Sequence, residues 1–179
     1  YVGAIISAMT LGAAAVSLTN LQEQAVYLPM IVAAFGIVSS IIGGLLVKTG
    51  ETPDQSILLK ALRMGVYGSA VLVGVLSYFA FEMTLGSRYM GIYWAILVGL
   101  IAGNIIGFFT EYYTSDVYKP TKGIAKASTT GPATVVISGI SVGMMSTAIP
   151  VITVGVSIMI SYLVAGGATD FEQGLYGIS

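Results

Sequence analysis

The chain has 179 residues, of which 56% are hydrophobic and 8% charged, with a net charge of −1 and a mean hydropathy of +0.92. Soluble domains carry about 25% charged residues, so the composition excludes a water-soluble domain. With no cysteine and no histidine, it also excludes disulfides, zinc–thiolate sites and the usual general base. The few basic groups are too scattered for a nucleic-acid footprint, and no nucleic-acid partner is expected.

The apolar residues are gathered into runs of about 20, the length that crosses a hydrocarbon core. A run of that length satisfies its backbone in lipid as a helix, and the roughly ten-residue alternating segments of a membrane barrel do not occur. The expected fold class is all-α, a polytopic transmembrane helical bundle forming one helical region over 1–179. Tyr1 opens without the basic segment or cleavage site of a signal peptide. An apolar segment is only beginning at Ser179, so the sequence reads as an internal fragment of a longer membrane protein.

The first helix is expected at 1–19, with Gly3 and Ser7 as small residues four apart that permit close helix approach. The second, 25–47, carries Pro29 near its start, where proline is best tolerated, and a small-residue ridge of Gly36, Ser40 and Gly44. A loop over 48–55 has the Gly, Pro and Asp of a turn. The third helix, 56–81, begins with Lys60 and Arg63, whose long stems can reach lipid phosphates, and a short loop runs from Glu82 to Arg88.

The fourth helix, 89–110, opens with Tyr89, Tyr93 and Trp94 as an aromatic belt. It bears small residues at every fourth position: Gly91, Ala95, Gly99, Gly103 and Gly107. This ridge predicts close packing with another helix, and Gly103→Leu is expected to disrupt folding or assembly. Asn104 is polar at membrane depth, suited to an interhelical hydrogen bond or to lining an ion path.

Residues 111–130 form a polar connection. Within it Ser115 or Asp116 is expected to cap a short helix with Pro120 in its first turn. Lys119, Lys122 and Lys126 then share one face, suited either to anionic lipid or to a phosphorylated anionic substrate. Thr129, Thr130 and Gly131 are expected to cap the next helix. That helix, 134–165, would reach about 50 Å at 1.5 Å per residue, against a core of roughly 30 Å. It is therefore expected to protrude from the membrane and to kink near Pro150. A last, truncated helix opens over 171–179.

Alternate crossing places Lys48, Lys60, Arg63, Lys119, Lys122 and Lys126 on one side and only Arg88 on the other. By the positive-inside rule the loops 48–55 and 111–130 are expected to be cytoplasmic. The sequence has no HExxH, no GxxxxGK[ST] and no close acidic pair to hold magnesium between carboxylate and phosphate, so no catalytic, metal or substrate-binding residue is assigned. Glu111, Tyr112, Lys122, Thr130, Gly131 and Asn104 remain as structural or coupling candidates.

The string Thr110-Glu111-Tyr112-Tyr113-Thr114-Ser115, then Tyr118-Lys119-Pro120, then Ala125 to Thr134 with Ser128, Thr130, Gly131 and Ala133, then Gly139 and Gly143, resembles the membrane-bound, ion-pumping inorganic pyrophosphatases. Tyr1-Val2-Gly3-Ala4 is similar to the segment just after their ion-gate helix, and Gly174-Leu175-Tyr176-Gly177-Ile178 to the opening of a later helix. Pro132 departs from the family pattern, where a small residue such as alanine is expected, and bears on the local helix geometry.

The resemblance implies hydrolysis of pyrophosphate with magnesium and outward movement of sodium ions or protons, with potassium as a possible further cofactor. It implies a homodimer of sixteen-helix subunits, each with six inner and ten outer helices. This chain would run from the end of the sixth helix to the start of the eleventh, with 134–165 at the dimer interface and the magnesium-pyrophosphate ligands outside it. The alternative, suggested by Asn104, the glycine ridges and the long fifth segment, is part of a secondary transporter or channel subunit.

Overall fold

A computed structural model describes residues 2–14, 22–47, 55–84 and 90–179. Every regular element among them is helical: α1 (Val2–Ala14), α2 (Gln22–Leu46), α3 (Gln55–Thr84), α4 (Met90–Thr114), α5 (Lys119–Ala127), a 3-10 turn (Ser128–Thr130), α6 (Pro132–Val164) and α7 (Phe171–Ile178). Among the described residues α2, α3, α6 and the stretch Met90–Thr130, which begins with α4, are long and apolar enough to cross a membrane. The chain is an all-α, multi-pass membrane protein. Most of the loop expected at 48–55, with Lys48, lies outside the described residues, as do Tyr89 and Arg88.

Helix ends differ from expectation where side chains cover backbone. The fourth helix runs on from residue 110 to Thr114, and the Thr110 and Thr114 hydroxyls donate to the carbonyls of Ile106 (2.8 Å) and Thr110 (2.7 Å). Their polarity is thereby spent inside the helix. Similarly α3 continues past residue 81 to Thr84, whose hydroxyl turns back on the Ala80 carbonyl.

Residues up to Leu100 together with Ile158–Ser179 form one compact unit, and Ile101–Ser157 a second. In the first unit Ala25, Leu28, Phe81, Ile92 and Tyr176 make the buried core, with Leu11, Val32 and Tyr93 packed against it. Tyr93, expected in an aromatic belt, instead leans on α3: its Oη donates to the Gly74 carbonyl (3.3 Å), and its ring lies 5.5 Å from that of Tyr78.

Close helix contact runs only in part through the small residues expected. On α2 the seam is Ser39 and Gly43, both buried, whereas Ser40 and Gly44 are exposed. A Cβ on Gly43 would lie 2.8 Å from the Gly65 carbonyl oxygen, and one on Gly65 would lie 3.0 Å from the Gly43 oxygen, so α2 and α3 touch backbone to backbone. The doublets Ser39-Ser40 and Gly43-Gly44 offer two ridges about 100° apart, and the structure uses the first of each. On α1 the buried small residues are Ala8 and Gly12, while Gly3 is open. The α4 ridge is engaged at Gly91, where a Cβ would strike the Val164 carbonyl and lie 3.2 Å from Ala165 Cα, but Gly99, Gly103 and Gly107 have nothing within 4 Å.

Pro29 deletes the amide proton that would bond the Ala25 carbonyl four residues back. Tyr176, on α7, fills the gap: its buried Oη donates to Ala25 O at 2.7 Å. Gly12 makes room, since a Cβ there would lie 2.9 Å from Ala25 O and 3.0 Å from the Tyr176 ring. Beyond α6 the chain reverses at Gly166 (φ +106°), and Gly167 and Gly174 lie against the face of Tyr162, where a Cβ would come within 2.6 and 2.5 Å of the ring. The helical path of α6 continues unbroken through Pro150.

Candidate functional site in the connection from α4 to α6

All six candidate residues belong to the second unit. Asn104 and Glu111 are seven residues apart on α4, two turns and about 10 Å along one face, and both are half-buried. The helix closes with Ser115 N–H donating to Glu111 O (2.9 Å). The chain then turns through Ser115, whose side-chain oxygen accepts from Val117 N–H at 3.3 Å.

The expected cap at Ser115 or Asp116 is displaced. The residue at the cap position of α5 is Tyr118, in extended conformation (φ −96°, ψ 161°) and without a side-chain cap bond; Pro120 lies in the first turn. Ser115 shapes the turn one step earlier, so a proline-led helix begins without a polar cap. Tyr112 anchors the turn by rings: its centroid is 5.3 Å from Tyr113 and 5.1 Å from Tyr118. From inside α5, Thr121 Oγ1 donates to the Tyr113 carbonyl at 3.3 Å.

These contacts orient α5. Pro120, Thr121, Ile124 and Ala127 are half-buried, whereas Lys119, Lys122 and Lys126 are exposed. The three lysines fall within about 60° of one another around the axis. Lys122 is the middle one of the three along the chain.

Behind α5 three successive hydroxyls fold back: Ser128 Oγ donates to Ala125 O (2.6 Å), Thr129 Oγ1 to Lys126 O (2.8 Å) and Thr130 Oγ1 to Ala127 O (2.8 Å). They add to the close of the helix, where backbone N–H groups at the cap also reach Ala125 O and Lys126 O. Thr129 and Thr130 therefore finish α5 rather than cap α6. Thr134 Oγ1 lies 2.6 Å from Gly131 O, 2.8 Å from Thr130 Oγ1 and 3.0 Å from Ala127 O, its one proton serving one of them at a time.

Gly131 stands at φ +130° and ψ 168°, a region open essentially to glycine alone. Its carbonyl accepts from Val135 N–H at 3.4 Å, the first turn of α6. Pro132 takes the first helical position, where its missing amide proton would have had no intrahelical partner. The departure from the family pattern at 132 thus sits where proline fits best.

The connection brings Tyr112, Thr130 and Gly131 into structural roles and presents Lys122 outward. Sequence reasoning missed Thr121 and Thr134, whose signal was a hydroxyl in the first turn of each helix. Among the described residues no three of His, Cys, Asp or Glu converge to hold a metal ion. Glu111 and Asp116 are the carboxylates of the connection.

The profile of the family described as inorganic H+ pyrophosphatase matches residues 1–179. A protein of Bacteroides thetaiotaomicron named for a K+-stimulated pyrophosphate-energized sodium pump is 45% identical over 99% of this chain and 25% of its own length. One of Clostridium tetani with the same kind of name is 40% identical over 100% of this chain and 25% of its own. A protein of Methanosarcina mazei named a K+-insensitive pyrophosphate-energized proton pump is 34% identical over 100% of this chain and 26% of its own. The chain spans about a quarter of the length of these relatives. Matched from end to end by the family profile, it belongs to the inorganic H+ pyrophosphatase family.

Proposed function

We propose that this chain is a membrane segment of a pump that couples pyrophosphate hydrolysis to the movement of sodium ions or protons. The end-to-end family match carries the reading, and the relatives named above are all pyrophosphate-energized pumps. No such support attaches to a secondary transporter or channel. Sodium is the cation favoured, because identity is 45% and 40% to the two relatives named sodium pumps and 34%, 37%, 35% and 32% to relatives named proton pumps. Potassium is the proposed activator on the same ground, and magnesium is proposed as the ion that accompanies pyrophosphate, held by residues outside this chain.

In this reading the segment is scaffold. Its half-buried polar candidates, Asn104 and Glu111, mark one face of α4 as the route by which it meets the rest of the pump. A cytoplasmic position for the loops 48–55 and 111–130 is supported by the basic residues that they and their flanks carry. A homodimer contact through 134–165 is supported by α6, which exposes apolar side chains such as Met144 at 72% and Val151 at 68%.

The test is the full-length protein in sealed proteoliposomes given magnesium and pyrophosphate outside. Pyrophosphate-dependent uptake of 22Na+ that persists with a protonophore and is stimulated by potassium is the expected result. Hydrolysis with acidification of the lumen and no sodium uptake would reassign the cation, and absence of hydrolysis would overturn the reading.

A further inference from the structure

We propose that α5 is a docking face for anionic lipid, with Lys119, Lys122 and Lys126 holding phosphate-bearing headgroups at the membrane surface. The helix closes the stretch Met90–Thr130, whose apolar part is α4, and comes just before Pro132–Val164, both stretches long and apolar enough to cross a membrane, so it sits at the end of one crossing and the start of the next, where headgroups are. Three charged amines cannot remain in the hydrocarbon; the position of α5 and its charge therefore specify the same zone.

Side-chain placement agrees with this zone. The half-buried side, Pro120, Thr121, Ile124 and Ala127, faces protein, and Thr121 ties it to the end of α4. The exposed side carries the three lysines within about 60°, and α5 itself contains no carboxylate. Glu111 and Asp116 both precede the helix. Tyr112, Tyr113 and Tyr118 form one ring cluster beside it, and tyrosine is enriched at the level of the headgroups. A phosphate-bearing surface supplies several anions at once, matching three amines held in a row, whereas a single soluble anion would need them to converge. The proposal requires only that the chain spans a membrane and is independent of which ion is pumped.

The experiment uses the full-length protein in nanodiscs of phosphatidylcholine alone or of equal parts phosphatidylcholine and phosphatidylglycerol. Lysine amines are acylated with a water-soluble reagent, and labelling at 119, 122 and 126 is read by peptide mass spectrometry. Labelling is expected to slow about five-fold in the anionic discs, the change that corresponds to roughly 1 kcal/mol per basic residue at an anionic surface. It should recover in 1 M salt, where the Debye length falls to about 3 Å.

Equal labelling in the two discs overturns the proposal. So does protection by soluble pyrophosphate in phosphatidylcholine discs, which would give the face to a soluble anion. In a second arm the K119Q/K122Q/K126Q variant should retain less phosphatidylglycerol on purification from mixed lipid, and K119R/K122R/K126R should retain as much as the parent; equal retention by the glutamine variant overturns it. Labelling needs no variant, so it decides the matter if the glutamine protein does not fold. Pyrophosphate hydrolysis in the same discs reports on the pump reading separately.

Discussion

At the residue scale two substitutions separate backbone strain from open space. Gly131→Ala places a Cβ at φ +130° and should destabilise by about 1–3 kcal/mol through strain alone, since nothing lies within 4 Å. Gly123→Ala, equally uncrowded but inside α5, should stabilise by about 0.5–1 kcal/mol. Thermal unfolding of the full-length protein in detergent should move in opposite directions for the two. Tyr176→Phe leaves the Ala25 carbonyl without its hydroxyl donor and should lose about 1–3 kcal/mol. Pro29→Ala restores an amide proton four residues along, so the loss from Tyr176→Phe should shrink in that background. A double-mutant cycle with no coupling would refute the pairing. The Tyr176 bond was invisible in the sequence because its partners are 151 positions apart; the positive φ at Gly131 was half-visible, since Gly-Pro before a long apolar run is a helix-start pattern.

At the element scale the helices were legible because lipid-length apolar runs admit one backbone solution, whereas their contact faces were not. Ser39-Ser40 and Gly43-Gly44 present the same chemistry on two adjacent strips, and only the partner helix selects between them. The Ser39 and Ser77 hydroxyls are fully buried and have no hydrogen-bond partner among the described residues. Replacing either with alanine removes a desolvated polar group while keeping the close approach, and the midpoint of unfolding should stay level or rise. Gly43→Leu should instead force α2 and α3 apart and lower it. The α4 ridge divides similarly: Gly91→Leu should destabilise markedly because its side chain meets the backbone at 164–165. Gly103→Leu, expected from sequence to disrupt folding or assembly, meets nothing within 4 Å in this chain and should lower the midpoint less. An equal loss at 103 would show that a helix from elsewhere in the protein occupies the groove.

At the scale of the whole molecule, class and family were both legible, for different reasons. Hydropathy and charge were enough for a multi-pass helical protein, while the family was carried by the polar connection, where side-chain chemistry is richest. The connection's mechanism was not legible because its hydroxyls act on their own backbone: Thr129 and Thr130, read in sequence as caps of the next helix, turn out with Ser128 to close α5. The buried joint of Gly12, Ala25 and Tyr176 has a consequence in time. A chain made from its N-terminus delivers α2, with a carbonyl that Pro29 has left unserved, long before α7 exists. Until Tyr176 emerges, water, lipid headgroups or the insertion machinery must supply that hydrogen bond. The arrival of Tyr176 is thus a latch, and ribosome-stalled chains ending before and after it should differ in protease protection of α2.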